Sequence, residues 1–351
     1  MQINGIDIGG PAKPYIIAEM SANHNGDLDR ALEILRQAKA SGADAVKIQS
    51  YTADTITIQS DRPEFRIQGG LWDGKTLHEL YQWAHMPWEW HVPLFRYAKE
   101  LELTLFSSPF DFSAVDMLEE LECPAYKIAS FEIVDLPLIR HAAETGKPLI
   151  ISTGMASDQE IREAVDTARS AGCRNLAVLH CVSGYPSPAK EYNLARVAQL
   201  QNDFPGLVIG LSDHTIDNAA AVASVALGAS VIEKHFTLDR LGGGPDDSFS
   251  IEPEELKALC RDTATAKEAL GSRENQRQDC ERGNMQFRRS LYVTKNMVKG
   301  ELFSPTNTRS IRPAMGLAPK YYDAVLGSAA TKDIEAGTPL DWNLTDAKIK
   351  D

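Results

Sequence analysis

Several shortages in the sequence each exclude a class of function. Positive charge is scarce: 36 Lys and Arg face 49 Asp and Glu, leaving a net charge of −13. A surface of that sign does not attract nucleic acid or an anionic membrane, so an anionic substrate must be held by local cations. Long hydrophobic runs are missing, and no stretch approaches the roughly 18 uninterrupted apolar residues of a membrane span. The opening MQINGIDIGG has neither the basic nor the apolar segment of a secretory leader. The expectation is a cytoplasmic protein with no nucleic-acid or membrane partner. The cysteines Cys123, Cys173, Cys181, Cys260 and Cys280 are scattered and form no CxxC pair. That fits reduced thiols and argues against a structural zinc site.

What is present is a repeated phrase: a short apolar strand ending in a polar residue, a loop, then an amphipathic helix. The strands are Tyr15 to Glu19, Ala45 to Gln49, Leu103 to Phe106, Ala125 to Ile128, Leu149 to Ser152, Leu176 to His180, Leu207 to Leu211 and Ala229 to Ile232. Each is the kind of β-branched run that makes a buried parallel strand. The helix after the first strand keeps apolar spacing from Leu28 to Ala40 and stops at Gly42. After the second strand comes an insertion from Tyr51 to about Pro87, rich in Asp, Gly, Trp and Tyr. Its aromatics favour a covering flap. Eight strand-then-helix units point to a (β/α)8 TIM barrel, whose active site lies at the C-terminal ends of its strands. A doubly wound open sheet is the other candidate, but no Gly-rich dinucleotide fingerprint follows the first strand.

The polar residues fall where a barrel would use them. Glu19, Lys47, Ser108, Lys127, Ser130, Ser152, Ser183, Ser212, His214 and His235 end strands or begin the next loops. A capping or turn role would explain any one serine; their convergence is what points to a site. His214, in LSDHT, and His235, in EKHFT, end adjacent strands of one βαβ unit, so their chains run about 5 Å apart. A lone buried histidine is ordinarily a hydrogen-bonded core residue. Two at matched strand ends, beside Asp213 and Glu233, point to a metal.

The barrel should occupy residues 1–271, a charged run at 272–289 reads as a linker, and residues 290–351 read as a small β-rich module. Ser290 to Val293, Ile311 to Pro313, Val325 to Gly327 and Thr338 to Leu340 are its short β-like or turn segments. A surface role is the ordinary reading of its arginines.

Taken together, AEMSANHNGDL, AVKIQSY, FSSPFD, YKIASFEIVDLPLI, ISTGM, LHCVSGYPSP, GLSDHT, EKHFTLDR and the late RRSLYV with IRPAMGL resemble the sialic acid synthase family over essentially the whole chain. The resemblance implies a (β/α)8 barrel followed by an antifreeze-like (SAF) domain. It also implies condensation of phosphoenolpyruvate with an N-acyl amino sugar to a nine-carbon 2-keto acid, releasing phosphate. By that likeness His214 and His235 hold a divalent metal, and Glu19 lies beside the reacting carbons. Lys47, Ser108, Lys127, Ser130, Ser152, Ser183 and Ser212 contact phosphoenolpyruvate, and Tyr185 and Asp246 face the sugar. The likeness further implies a domain-swapped homodimer in which Arg312 completes the partner's site.

The residue types suit that chemistry. Lysines and hydroxyls can hold a carboxylate and a phosphate. A metal with two imidazoles leaves positions open for an aldehyde oxygen. Mixed imidazole and oxygen ligation suits Mn²⁺, with Co²⁺ or Mg²⁺ able to substitute. Ser183 stands where the family usually carries Asn. With KIASFE, MSAN and the Trp-rich Tyr81 to His91 segment, it looks like the pseudaminic branch. That branch uses 2,4-diacetamido-2,4,6-trideoxy-L-altrose; N-acetylneuraminate and legionaminate synthesis are the alternatives. Two rivals of other classes are a Schiff-base aldolase working through Lys47 or Lys127 and a non-catalytic sugar-binding protein.

Overall fold

The computed structural model describes residues 1–272 and 274–348. The chain divides into two compact units, Met1–Gly271 and Ser272–Asp351. In the first, eight parallel strands close into a barrel: β1 (Tyr15–Glu19), β2 (Ala45–Ser50), β3 (Thr104–Pro109), β4 (Tyr126–Ile128), β5 (Leu149–Ser152), β6 (Leu176–Cys181), β7 (Val208–Asp213) and β8 (Val231–His235). They follow one another in order around the barrel, and β8 closes it on β1. A short antiparallel hairpin, Gln2–Ile3 with Ile6–Asp7, precedes β1.

The helices form where apolar spacing and capping residues agree. The first, α1 (Leu28–Ser41), starts at Asp27, whose carboxylate accepts from the backbone N–H of Asp29 and Arg30, and ends at Gly42. It buries Ala31, Ile34, Leu35 and Ala38, a stripe of helical period turned to the barrel. Two helices, α2 (Ala53–Ile56) and α3 (Leu77–Ala84), lie in the insertion. The outer layer continues with α4 (His91–Glu100), α5 (Phe112–Glu120), α6 (Leu136–Glu144), α7 (Asp158–Ser170), α8 (Ala195–Asp203), α9 (Ala219–Ala226) and α10 (Pro253–Ala269). Strand register decides which side chains meet at the top: Glu19 pairs with both Lys47 and His235, and Ser212 pairs with Glu233. Alternate residues face the lumen, so these positions all point inward, with His235 one step above Glu233 on the same strand.

The second unit packs Leu291, Val293, Met297, Phe303, Val325, Ala330, Ile334, Leu340 and Leu344 into its own core. Two antiparallel strands, β9 (Ser290–Val293) and β10 (Thr308–Ile311), and several isolated bridges surround that core. Gly316 is squeezed between two backbones; a Cβ there would stand 2.3 Å from the Leu291 carbonyl oxygen. Only glycine fits such a close approach. The charged run at 272–289 is less bare than expected of a linker, since Asp279–Arg282 forms a helical turn behind a Gln278–Glu281 capping box. Val325 ends a short helix, Tyr322–Val325, where the sequence suggested the start of a β-like or turn segment.

Candidate active site

The strand ends and the insertion enclose a cavity of about 550 Å³, a size that suits a small-molecule substrate. Its walls include Glu19, Lys47, Lys127, Ser130, Ser183, Tyr185, Ser212, His214, His235 and Asp246, ten of the thirteen residues singled out from the sequence. Ser108 lies just behind the wall and accepts from Lys47 Nζ at 3.2 Å. Ser152 is fully buried at the end of β5, off the lining, with no hydrogen-bond partner for its hydroxyl among the described residues. Arg312 belongs to the second unit, where it is exposed in a cleft with Arg289, Arg309 and Tyr322.

At the floor, charge is buried and paired. Lys127 Nζ, from β4, donates to Glu233 Oε1 of β8 at 2.9 Å, and Ser212 donates to the same oxygen at 3.2 Å. Lys47 Nζ, from β2, lies 2.8 Å from Glu19 and 3.7 Å from Glu233. All four charged side chains are at most 4% exposed. The two carboxyls are driven apart. Burial pushes Glu19 up and its neighbour Glu233 adds to the rise, with Lys47 opposing. Burial alone would also raise Glu233, but Lys127 and Lys47 outweigh it and hold that carboxyl down at about 2. Glu233 is thus a fixed anion, while Glu19 holds a proton more readily than an ordinary carboxyl.

Above the floor stand the histidines, their ring centroids 5.4 Å apart. His214 Nδ1 meets the Val182 carbonyl oxygen at 2.8 Å, so Nδ1 carries a proton and Nε2 is the nitrogen left for a metal. Tyr192 fixes the backbone here, donating to the Ser212 carbonyl and accepting from the His214 N–H. Burial, then His214 and nearby lysines, keeps His235 well below its usual pKa. It is neutral, the form that ligates metal. Its Nδ1 is buried without a hydrogen-bond partner among the described residues. For His214 burial works the same way, but Cys181 and the Val182 carbonyl outweigh it and raise its pKa, so it must give up a proton before it ligates metal; an imidazole pair of this kind suits a divalent ion.

The two acidic residues expected beside the histidines are turned elsewhere. Glu233 turns one oxygen to the lysines, while Asp213 accepts from Lys234 Nζ at 2.8 Å and from the Thr215 N–H at 2.9 Å. Period-two alternation explains Asp213, since it lies between Ser212 and His214 and points to the opposite face. Among the described residues no group of three or more His, Cys, Asp or Glu could hold a metal. Water and substrate would have to supply the remaining ligands of an ion on the histidine pair.

The Tyr185 ring packs 4.4 Å from His214, between it and Phe249. Burial raises the Tyr185 phenol well above its usual value, so it stays a donor. Asp246 accepts from Ser21 Oγ at 2.5 Å, and Gln49 Nε2 donates to both Ser21 Oγ at 3.0 Å and Glu19 Oε1 at 2.9 Å. This chain ties the Asp246 carboxylate to the floor. At Gly154 (φ +49) the loop after β5 presses so close that a Cβ would meet Ser130 Cβ at 2.5 Å; Ser130 and Ser183 share a hydrogen bond of 2.8 Å beside it.

Sequence reading missed Ser21, Gln49, Glu132 and the floor role of Glu233. For Gln49 and Glu233 a signal existed: each lies two residues from a recognised inward residue, Lys47 and His235 respectively. Glu132 lines the cavity with one buried oxygen that has no hydrogen-bond partner among the described residues, and burial pushes its carboxyl up to about 7.

Comparison with known proteins agrees with this architecture. The NeuB family profile matches residues 34–275 and the SAF domain profile matches residues 288–344. The chain is 45% identical to pseudaminic acid synthase of Helicobacter pylori over 93% of its own length and 96% of that protein. It is 39% identical to N,N'-diacetyllegionaminic acid synthase of Campylobacter jejuni over 92% and 97%. The crystal structure of N-acetylneuraminic acid synthetase from Leptospira borgpetersenii in complex with citrate superposes with a TM-score of 0.73 at 31% identity, over 82% of this chain and 95% of that one. With a barrel whose strand ends hold this site and a second unit matching SAF, the chain belongs to the NeuB family, whose relatives are nonulosonic acid synthases.

Proposed function

We propose that this enzyme condenses phosphoenolpyruvate with 2,4-diacetamido-2,4,6-trideoxy-L-altrose, making a nine-carbon nonulosonic acid and releasing phosphate. The observation that carries the reading is the floor. Lys47 and Lys127 are buried and share Glu233, whose second oxygen has no hydrogen-bond partner among the described residues, in the same cavity as the histidine pair. Two fixed cations at the base of an acidic protein are what a substrate with a phosphate and a carboxylate requires. The higher identity to a pseudaminic than to a legionaminic acid synthase favours the altrose substrate.

In this reading Lys47 and Lys127, with the hydroxyls of Ser108, Ser130, Ser152, Ser183 and Ser212, bind phosphoenolpyruvate. Tyr185 and Asp246 orient the open-chain sugar. The enol C3 attacks the aldehyde carbon, water adds at C2, and phosphate departs with its bridging oxygen as that C–O bond breaks. Glu19 stabilises the positive charge that builds at C2 or takes a proton from the adding water. His214 and His235 would hold the divalent ion, Mn²⁺ with Co²⁺ or Mg²⁺ as substitutes, which when bound supplies a Lewis acid for the aldehyde. The Tyr185 and Phe249 rings pack against the two histidines.

The Schiff-base alternative fits less well. Burial alone would lower the Lys127 pKa, but Glu233 reverses this and keeps the amine charged and non-nucleophilic. The deciding experiment supplies phosphoenolpyruvate with a panel of amino sugars, measures phosphate and identifies the product by mass. Release of phosphate with the diacetamido sugar supports the proposal; release only on adding another sugar reassigns the substrate; and irreversible inactivation by borohydride restores the aldolase.

The active form proposed is a domain-swapped homodimer in which Arg312 of one subunit completes the site of the other. Mixing inactive His214→Ala with inactive Arg312→Ala should then restore phosphate release. Two inactive proteins that stay inactive after mixing would place Arg312 outside the partner's site.

A further inference from the structure

The cavity has two chemistries, and they come from different parts of the chain. Its floor charges stand on the barrel strands, whereas the insertion between β2 and α4 lines it with Tyr51, Ile56, Ile67, Trp72, Leu77, Leu80, Tyr81 and Ala84. Four of these occupy positions i, i+3, i+4 and i+7 of α3, a single helical stripe. On most helices of this barrel the apolar stripe meets the core. On α3 it meets the cavity.

The polar side chains of α3 are engaged away from that stripe. Glu79 closes a capping box on Thr76, and His78 Nε2 lies 3.0 Å from Asp54 of α2. Tyr81 is braced by Tyr51, with ring centroids 5.6 Å apart, and Tyr51 in turn by Phe110 at 5.1 Å. The wall is therefore braced by ring packing; the stripe itself contributes the Tyr81 hydroxyl, with the Tyr51 hydroxyl beside it, while the Trp72 indole N–H is engaged by the Pro245 carbonyl at 3.2 Å.

The direction of the substrate follows from the floor. Phosphate and carboxylate go to Lys47 and Lys127, so the aldehyde carbon must point down to meet the enol, and the other end of the sugar extends toward the insertion. We infer that the α3 stripe, with Ile56 and Ile67, is the subsite for that far end and selects a sugar ending in a methyl group over one ending in a hydroxymethyl. This deepens the synthase reading and rests on it. A hydroxyl placed against the stripe would give up its water and could regain a partner only at its edge, from Tyr81 or from Tyr51 and Glu132 beside it, whereas a methyl needs none. Apolar pockets of this kind reject an added hydroxyl by up to about 100-fold.

The test measures kcat/KM for phosphate release with phosphoenolpyruvate and two N-acyl amino sugars that differ only in a terminal methyl or hydroxymethyl. The wild-type enzyme should favour the methyl sugar by about 10- to 100-fold. Leu77→Gln and Ala84→Ser should each cut that ratio at least about fivefold while leaving the KM for phosphoenolpyruvate in place, and Leu77→Met should keep the ratio. Two polar variants guard against one that does not fold. A wild-type enzyme that treats both sugars alike, or folded polar variants with an unchanged ratio, would overturn the wall assignment and leave the synthase reading standing. No phosphate with any amino sugar would remove the synthase reading, and the subsite with it.

Discussion

Two buried lysine–carboxylate pairs sit one residue apart on β8 and face opposite sides of the strand. Lys234 points outward, where its Nζ reaches Asp213 at 2.8 Å and the Thr215 carbonyl at 2.5 Å, and Asp213 also accepts from Thr215. Glu233 points inward, where two lysines share it, and its second oxygen lacks a hydrogen-bond partner among the described residues. Both clusters are almost completely shielded from water. The outward one is closed on itself, as a structural pair must be. The inward one keeps an oxygen with accepting capacity and lines the cavity. Burial and charge alone therefore do not mark a site; here the two clusters differ in an acceptor left open beside a cavity.

The sharpest break between the two clusters should come from the groups above the floor. His214→Ala and His235→Ala are each expected to abolish phosphate release while the barrel stays folded, and a chelator should do the same to the wild type, with rescue by Mn²⁺. Survival of more than roughly a tenth of turnover in either variant would remove the histidines from the chemistry. Next, Glu19→Gln should lower kcat about 10²-fold with substrate binding intact. A raised KM at unchanged kcat would make Glu19 a binding group.

Lys234→Met tests the other side of the strand. It leaves Asp213 buried without its cation and should cost about 3–5 kcal/mol of stability, read by chemical denaturation, while turnover at low temperature stays within about tenfold. Lost turnover at unchanged stability would mean the outward pair is not merely structural. The smallest effect concerns Glu132. Its folded carboxyl sits at about 7, above the ordinary value of 4.5, so the fold favours the protonated form and stability is lost as pH rises between those values. Glu132→Gln should gain stability relative to wild type across that window. A difference independent of pH would mean Glu132 is ionised throughout.

The strands and their order were legible because β-branched runs punctuated by turns carry an unambiguous signal, and eight of them leave few architectures. Most of the site followed, since strand ends in a barrel must converge. The two-faced nature of each strand was the harder part: Asp213 reads as a neighbour of His214 in sequence and is on the other side of the sheet in space. The α3 stripe was hidden for a different reason. Leu77, Leu80, Tyr81 and Ala84 have the spacing of any core-facing helix, and nothing local says that the surface they meet is a cavity. Glu132 sits in a 3-10 turn after β4, where no periodic rule assigns a direction.

The Lys127–Glu233 ion pair has one further consequence. In the ring of eight strands β4 and β8 lie diametrically opposite, so a contact of 2.9 Å between them spans the bore of the barrel. It acts as a tie across an opening, setting how deep a substrate can sink and joining strands that no backbone hydrogen bond connects. An anion that draws Lys127 upward must loosen that tie, and the far wall of the barrel would register its arrival through Glu233.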